Sequence, residues 1–338
     1  MTSMTRPLLE VDALSVTLPI DGRPQTVVNG VSFSVGAGEA LGLVGESGSG
    51  KSMTARAIMR LLPKGASTQG DVRFDGTSVP DMGAKSLREW RSMRVAMVFQ
   101  DPRAHINPVR PIGDFLCEVL VANRKVGRKE AERRAADALR TVHIADAERR
   151  LRQYSYEFSG GLLQRVMIAA ALIVEPQLLL ADEPTTALDV TTQEEVMAII
   201  DELRRDRQMS MVFITHDLEL AAAVCDRTAV MYAGRLVEER ASDRLHSDGA
   251  HPYTRALLGA RPSLDVDVER GTLAAIPGRP LAGYEAPDGC SFADRCPYCQ
   301  PLCRSERPDL KPVHNGVAAC HFAEQIADGT VLEGAPRA

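Results

Sequence analysis

Gly45-Glu46-Ser47-Gly48-Ser49-Gly50-Lys51-Ser52 is a complete G-x-x-x-x-G-K-S run, and its flanks decide the fold. Ala40-Leu41-Gly42-Leu43-Val44 before it is a short apolar run of buried-strand character. Ser52-Met53-Thr54-Ala55-Arg56-Ala57-Ile58-Met59 after it holds good helix formers and no breaker. Strand, glycine-rich loop and helix in that order make a phosphate-binding loop. Gly45, Gly48 and Gly50 let backbone N–H groups, including that of Ser47, turn inward around a β-phosphate. Lys51 reaches the β- and γ-phosphates, and the Ser52 hydroxyl ligates magnesium beside the positive end of the helix dipole. The plainer alternative is a glycine-rich strand-to-helix turn, which leaves the Lys-Ser pair in register unexplained.

On the N-terminal side, residues 8–16 alternate apolar and polar side chains. Asp21-Gly22-Arg23-Pro24 breaks the pattern, and alternation returns at Thr26-Val27-Val28 and over 31–35. These runs predict a small antiparallel sheet ahead of the loop. Beyond the loop helix, residues 70–76 read as a short strand and turn, and 94–99 as a buried strand ending at Gln100. From 101 to 156 the sequence turns to prolines and charged helix, with Ala135, Leu139 and Val142 on one apolar face. The basic run over 124–134 reads as a solvated helix face. Helix and strand then alternate to about 232, which implies a mostly parallel sheet covered on both faces.

Leu178-Leu179-Leu180-Ala181-Asp182-Glu183 is a buried strand that ends in two acids. Such acids belong at the carboxyl edge of a sheet, where α/β proteins bind ligands. Asp182 suits magnesium, and Glu183 suits the water that attacks a γ-phosphate. Phe158-Ser159-Gly160-Gly161-Leu162-Leu163-Gln164-Arg165-Val166 is a second helix start, capped by Ser159. Ser159, the Gly160 and Gly161 amides and the helix dipole form a second anion site.

That last run resembles the signature motif of ATP-binding cassette (ABC) ATPases, and the surrounding motifs agree in order and spacing. Gln100 in Val98-Phe99-Gln100-Asp101-Pro102 resembles the Q-loop, Ala187-Leu188-Asp189 the D-loop, and His216 in Ile214-Thr215-His216-Asp217 the switch histidine. The resemblance implies two cassettes packed head to tail, the signature of one closing over ATP in the phosphate loop of the other. It implies that His216 contacts the γ-phosphate, that Asp189 crosses toward the partner, and that Gln100 joins Ser52 and Asp182 around magnesium. Standing alone, His216 would read as an ordinary strand-end histidine. One departure concerns the base: alignment by eye puts Leu18 where the family stacks an aromatic ring on adenine.

The C-terminal third narrows the resemblance. His251-Pro252-Tyr253-Thr254-Arg255-Ala256-Leu257-Leu258, Ile276-Pro277-Gly278 and a block of cysteines are similar to the oligopeptide/dipeptide branch of ABC importers. That branch implies a [4Fe-4S] cluster on Cys290, Cys296, Cys303 and Cys320. Four gathered thiolates suit iron-sulfur or zinc, and spacing does not separate the two. Cys299 is extra to the pattern. Cys296-Pro297-Tyr298-Cys299 spells a glutaredoxin-like tetrapeptide without the surrounding βαβ pattern. Cys117 and Cys225 read as buried packing residues.

The resulting organisation is an α/β ATPase core of 1–100 and 157–245, a helical subdomain of 101–156, an extension of 246–325 and a tail of 326–338. The extension is small, irregular and cysteine-rich, and it begins as the αβ rhythm is lost after Glu238. The 338 residues have a net charge of −5, which gives no general reason to expect nucleic acid as partner. The longest apolar runs fall short of the roughly 20 residues that span a bilayer, and no export signal is visible at the N-terminus. The expectation is a subunit soluble by itself that works at the cytoplasmic face of a membrane. There it would power peptide import with a second cassette, two permease subunits and, indirectly, an extracytoplasmic solute-binding protein. The competing expectations are a soluble ABC ATPase that remodels nucleic acid or ribosomes, and import of another small solute such as nickel.

Overall fold

The computed structural model describes residues 6–185, 188–260 and 276–329. Ala187 of the 187–189 run, residues 261–275 of the extension and the end of the tail lie outside them. The chain divides into two compact units, one of residues 1–9, 35–40 and 73–214 and the other of 10–34, 41–72 and 215–338.

In the first unit, the strands Val95–Val98, Leu178–Asp182 and Ser210–Thr215 form a parallel ladder, with Val95 opposite Leu178 and Leu178 opposite Ser210. Every residue of the three is buried, which is why they read as unbroken apolar runs and not as alternation. Leu178, Leu179 and Leu180 are fully enclosed, and each such burial contributes about 1.5–3 kcal/mol. Between the first two strands lie the predicted helices, chiefly Ile112–Ala122 and Arg128–Thr141. Ala135, Leu139 and Val142 are buried as the helical spacing requires. Arg128, Arg133, Arg134 and Arg140 pair with Asp114, Glu130, Glu132, Asp137 and Glu148 on the wet side. Pairs so exposed add little stability, so the basic run is a solvated face. The helices Ala84–Met93, Gly160–Leu172 and Val190–Arg207 also belong to this unit.

In the second unit, Asp21 (φ 50°) and Gly22 (φ 74°) turn the chain between strands Leu9–Ile20 and Arg23–Val35. The two alternating runs expected after Pro24 are one continuous strand, with Pro24 near its exposed start. The strand Ala40–Val44 pairs in parallel with Arg227–Tyr232, Leu41 opposite Arg227 and Val44 opposite Val230. Helix Lys51–Ile58 follows the intervening loop. Arg235–Ala241 then runs antiparallel to Arg227–Tyr232, with a bulge between Leu236 and Glu238.

The region after Glu238, which reads as irregular, adds two more strands. Gly316–Ala318 pairs with Arg235–Ala241, and Lys311–Val313 pairs with Gly316–Ala318. Three residues are too few for a period-2 pattern to show in the sequence. The buried Glu238 carboxylate ties the start of the extension to this sheet. It accepts from Arg240 Nε at 2.7 Å and from the N–H groups of Ala250 at 2.8 Å and His251 at 2.9 Å. Removing one partner of such a pair costs about 3–5 kcal/mol.

Candidate active site

The loop 45–52 leaves the carboxyl end of a fully buried strand. At Gly45 a Cβ would lie 2.2 Å from Met231 O, so only glycine lets the chain turn against the neighbouring strand. Lys51, the first residue of the helix, is 4% exposed. Its ammonium donates to Gly45 O at 2.6 Å, Glu46 O at 2.9 Å and Ser49 Oγ at 3.4 Å. Gly234 N–H donates to Ser49 O at 3.0 Å and ties down the far side of the loop. Ser47 and Gly48 are exposed, and Gly48 (φ 82°) has open space where its Cβ would be. The loop is therefore a closed frame around an open cradle, and with the helix N-terminus beside it this fits a phosphate group. Ser52 is half-buried on the first turn.

Glu46 is bound on every side. Its N–H donates to Tyr253 Oη at 2.9 Å, and its carboxylate receives both terminal nitrogens of Arg295, at 2.7 and 3.0 Å. Burial pushes the Tyr253 hydroxyl far above its ordinary range, so it stays protonated. Neither Tyr253 nor Arg295 stands out in the sequence as part of the site. Glu46 and Arg295 lie 249 positions apart, and no local pattern links them.

In the other unit, Asp182 ends its strand in register with Ile214 and is 1% exposed. The next residue, Glu183, takes the left-handed conformation at φ 45°, and its N–H donates to Ile214 O at 3.0 Å. Such a conformation in a non-glycine residue costs on the order of 1–3 kcal/mol. It lifts Glu183 off the strand, and Gln100 Nε2 donates to Glu183 Oε2 at 3.0 Å. Two residues predicted for one reaction, 83 positions apart, thus share a hydrogen bond. The buried Asp182 carboxylate is a hard oxygen donor of the kind magnesium takes. His216 is exposed directly after Ser210–Thr215, and Asp217 caps the next helix through the Glu219 and Leu220 N–H groups.

Ser159 is the N-cap of helix Gly160–Leu172, its hydroxyl accepting from Leu162 N–H at 3.3 Å. Gly160 is exposed, with open space at its missing Cβ. A Cβ on Gly161 would lie 2.7 Å from Thr192 Cγ2, so glycine permits the close approach to helix Val190–Arg207. Asp189 caps that helix, accepting from Thr192 N–H at 3.0 Å and Thr192 Oγ1 at 2.8 Å. Hydrogen bonds from the Thr192 backbone and hydroxyl hold its carboxyl below the usual value. Phe158 is buried, and Leu18 is half-buried on its strand.

All seven cysteines are free thiols, and Cys117 and Cys225 are buried. Cys290, Cys296, Cys303 and Cys320 line one small cavity with Phe292, Phe322 and Ile326, and Cys299 is not among its walls. Burial pushes the Cys290 thiol up to about 11 and those of Cys296 and Cys320 up to about 12. Among the described residues, no group of three or more His, Cys, Asp or Glu is drawn together as a metal site. The cavity nonetheless gathers four soft thiol donors beside His251, His321 and Tyr298, a set that fits iron-sulfur or zinc better than magnesium.

Comparison with known proteins gives the class. Residues 28–186 match the ABC transporter family, and residues 237–303 match the oligopeptide/dipeptide transporter C-terminal region. A dimeric post-hydrolysis ATP-binding cassette bound to ADP and Pi matches with a TM-score of 0.62 at 25% identity, covering 69% of this chain and 98% of that one. This is an ABC-cassette P-loop NTPase, an ATP-hydrolysing subunit. Nearly full-length relatives place it further. A probable peptide ABC transporter ATP-binding protein of Sinorhizobium fredii is 44% identical, over 89% of this chain and 90% of that one. The oligopeptide transport ATP-binding protein OppD of Escherichia coli is 42% identical over 89% of each chain, and OppD of Bacillus subtilis 41% over 92% of this chain and 87% of that one. The chain belongs to the oligopeptide/dipeptide family of ABC-transporter ATP-binding subunits.

Proposed function

We propose that this chain hydrolyses ATP to power import of di- and oligopeptides through membrane permeases. The observation that carries the reading is the presence, on one chain, of an intact phosphate loop and the peptide-transporter extension. On this reading 1–100 and 157–245 are the ATPase core, 101–156 the helical insertion that meets the permeases, and 246–325 the extension. Two permease subunits would provide the membrane passage; among the described residues of this chain no helix is long and apolar enough to cross a membrane. The chain would act at their cytoplasmic face.

The roles follow from the chemistry of each position. Gly45, Ser47, Gly48 and Gly50 present backbone N–H groups to the phosphates, and Lys51 turns from its loop carbonyls to the β- and γ-phosphates. Ser52, Asp182 and Gln100 would hold magnesium, which when bound would neutralise the charge developing on the phosphate oxygens. Glu183 takes a proton from water as the water oxygen attacks the γ-phosphorus; the bond to the β-phosphate oxygen breaks, leaving ADP and phosphate. Gln100 holds Glu183 in place, and His216 contacts the γ-phosphate. Ser159, Gly160 and Gly161 of a second cassette, identical or paralogous, cover the nucleotide, with Asp189 at the junction. Cys290, Cys296, Cys303 and Cys320 would hold a [4Fe-4S] cluster, or zinc on the same thiolates, as a staple for the extension.

Anaerobic purification from detergent-solubilised membranes tests both parts. We expect permease subunits to co-elute and ~4 iron per chain with iron-sulfur absorbance. Absence of any membrane partner overturns the transporter reading, and stoichiometric zinc without iron replaces the cluster.

A further inference from the structure

We infer that Arg295, in the C-terminal extension, is a positioning residue for the phosphate loop and acts through the Glu46 carboxylate. The inference deepens the reading of residues 45–52 as the nucleotide site and rests on it. Three anchors hold Glu46, the second residue of that loop. Its carbonyl accepts from Lys51 Nζ at 2.9 Å, its N–H donates to Tyr253 Oη at 2.9 Å, and its carboxylate receives the Arg295 fork at 2.7 and 3.0 Å. Two of the three come from the extension, and the third is the loop's own ammonium.

Arg295 is itself fixed before it meets the loop. Its Nε donates to Pro277 O at 2.8 Å, one terminal nitrogen donates to Tyr232 Oη at 3.4 Å, and the guanidinium lies near the Tyr232 and Phe292 rings at 5.7 and 5.8 Å. Its side chain is 5% exposed. A planar fork held this way loses little freedom on gripping a carboxylate, and the bidentate geometry fixes orientation as well as charge.

The charge matters more than the anchoring. A carboxylate in a loop that receives phosphates repels them unless it is neutralised nearby. Arg295 neutralises it, which leaves the Lys51 ammonium and the loop amides to act on the nucleotide. The extension thereby supplies a cation that the phosphate loop needs. Specificity of the effect lies in its sign: removing Arg295 exposes a repelling charge, and removing Glu46 as well takes that charge away.

The test is the dissociation constant for magnesium-ATP, measured on the full chain by a fluorescent analogue, for the parent, Arg295→Met, Glu46→Gln and the double variant. We expect Arg295→Met to weaken binding about tenfold, the scale of one unneutralised charge near the site. Adding Glu46→Gln should recover most of that loss, whereas a merely structural role leaves the double variant as weak as Arg295→Met or weaker. Should Arg295→Met not fold, Arg295→Lys decides by charge: because the charge stays and only the fork is lost, it should bind within about threefold of the parent, and a loss of about tenfold or more overturns the inference. Parental affinity in Arg295→Met, or no recovery in the double variant, overturns the inference as well. A parent chain that does not bind ATP overturns the nucleotide reading instead.

Discussion

Two loops of this chain are built to face anions, and they are finished to different degrees. Residues 45–52 are closed on themselves: Lys51 is 4% exposed with its ammonium bonded to loop oxygens, Ser49 is 2% exposed, and Glu46 is gripped by Tyr253 and Arg295. Ser159 and Gly160 stand in solvent, where Gly160 has open space at its missing Cβ and Ser159 makes a long 3.3 Å cap bond. Backbone donors left in water act weakly on an anion and strengthen only when another surface excludes the water. The first loop needs a ligand. The second, on the proposed reading, needs a ligand and a second molecule to bring it.

The sharpest way to break that contrast is to stop the reaction without touching either loop. Glu183→Gln should leave ATP binding intact and lower turnover about 10²–10⁴-fold, the range expected for loss of a general base. The amide keeps an acceptor for Gln100 Nε2, so the local bond survives. ATP should then accumulate in a closed dimer visible by size-exclusion chromatography. Turnover near the parent rate would remove Glu183 from the role of base. Gly160→Glu attacks the open loop itself and is expected to lower turnover by at least about tenfold through repulsion of phosphate. The same substitution should spare ATP binding by the separate chain and leave Tm unchanged or slightly raised, since an acid suits a helix N-terminus. If ATP binding by the separate chain falls in parallel, the two loops are not independent and the contrast fails.

What could be read from the sequence follows the same division. The phosphate loop, Asp182-Glu183 and the Ser159 cap are contiguous, so their geometry is written in adjacent letters. The strands Val95–Val98, Leu178–Asp182 and Ser210–Thr215 are legible because burial on both faces forces unbroken apolar runs. The Glu46–Arg295 pair is invisible for the opposite reason, since it depends on where the chain returns after 249 positions. Short strands such as Gly316–Ala318 are stabilised by pairing with Arg235–Ala241 and not by their own pattern. The choice of four cysteines out of five came from family resemblance. The cavity separates Cys299 from the other four by position, something spacing alone does not do.

Asp189 lies between the two loops in character and gives the smallest, most diagnostic effect. It is exposed like the signature, yet its carboxylate is already used, accepting from Thr192 N–H and Oγ1 at 3.0 and 2.8 Å. Those bonds hold its carboxyl below the ordinary value. A group with a depressed folded pKa contributes stability above its unfolded pKa and loses it as pH falls through the folded one. Asp189→Ala should therefore lower Tm by about 1–3 °C at neutral pH, the size of one lost helix cap in a chain of this length. The difference from the parent should shrink as pH falls through the depressed folded pKa, where the parent carboxylate loses its charge. Asp189→Asn separates the cap from any duty toward a second cassette, because the amide oxygen still accepts from Thr192. If the Asn variant keeps the parent Tm but hydrolyses ATP more slowly, the charge acts across the dimer. If it keeps both, Asp189 is a helix cap with no duty toward a second cassette.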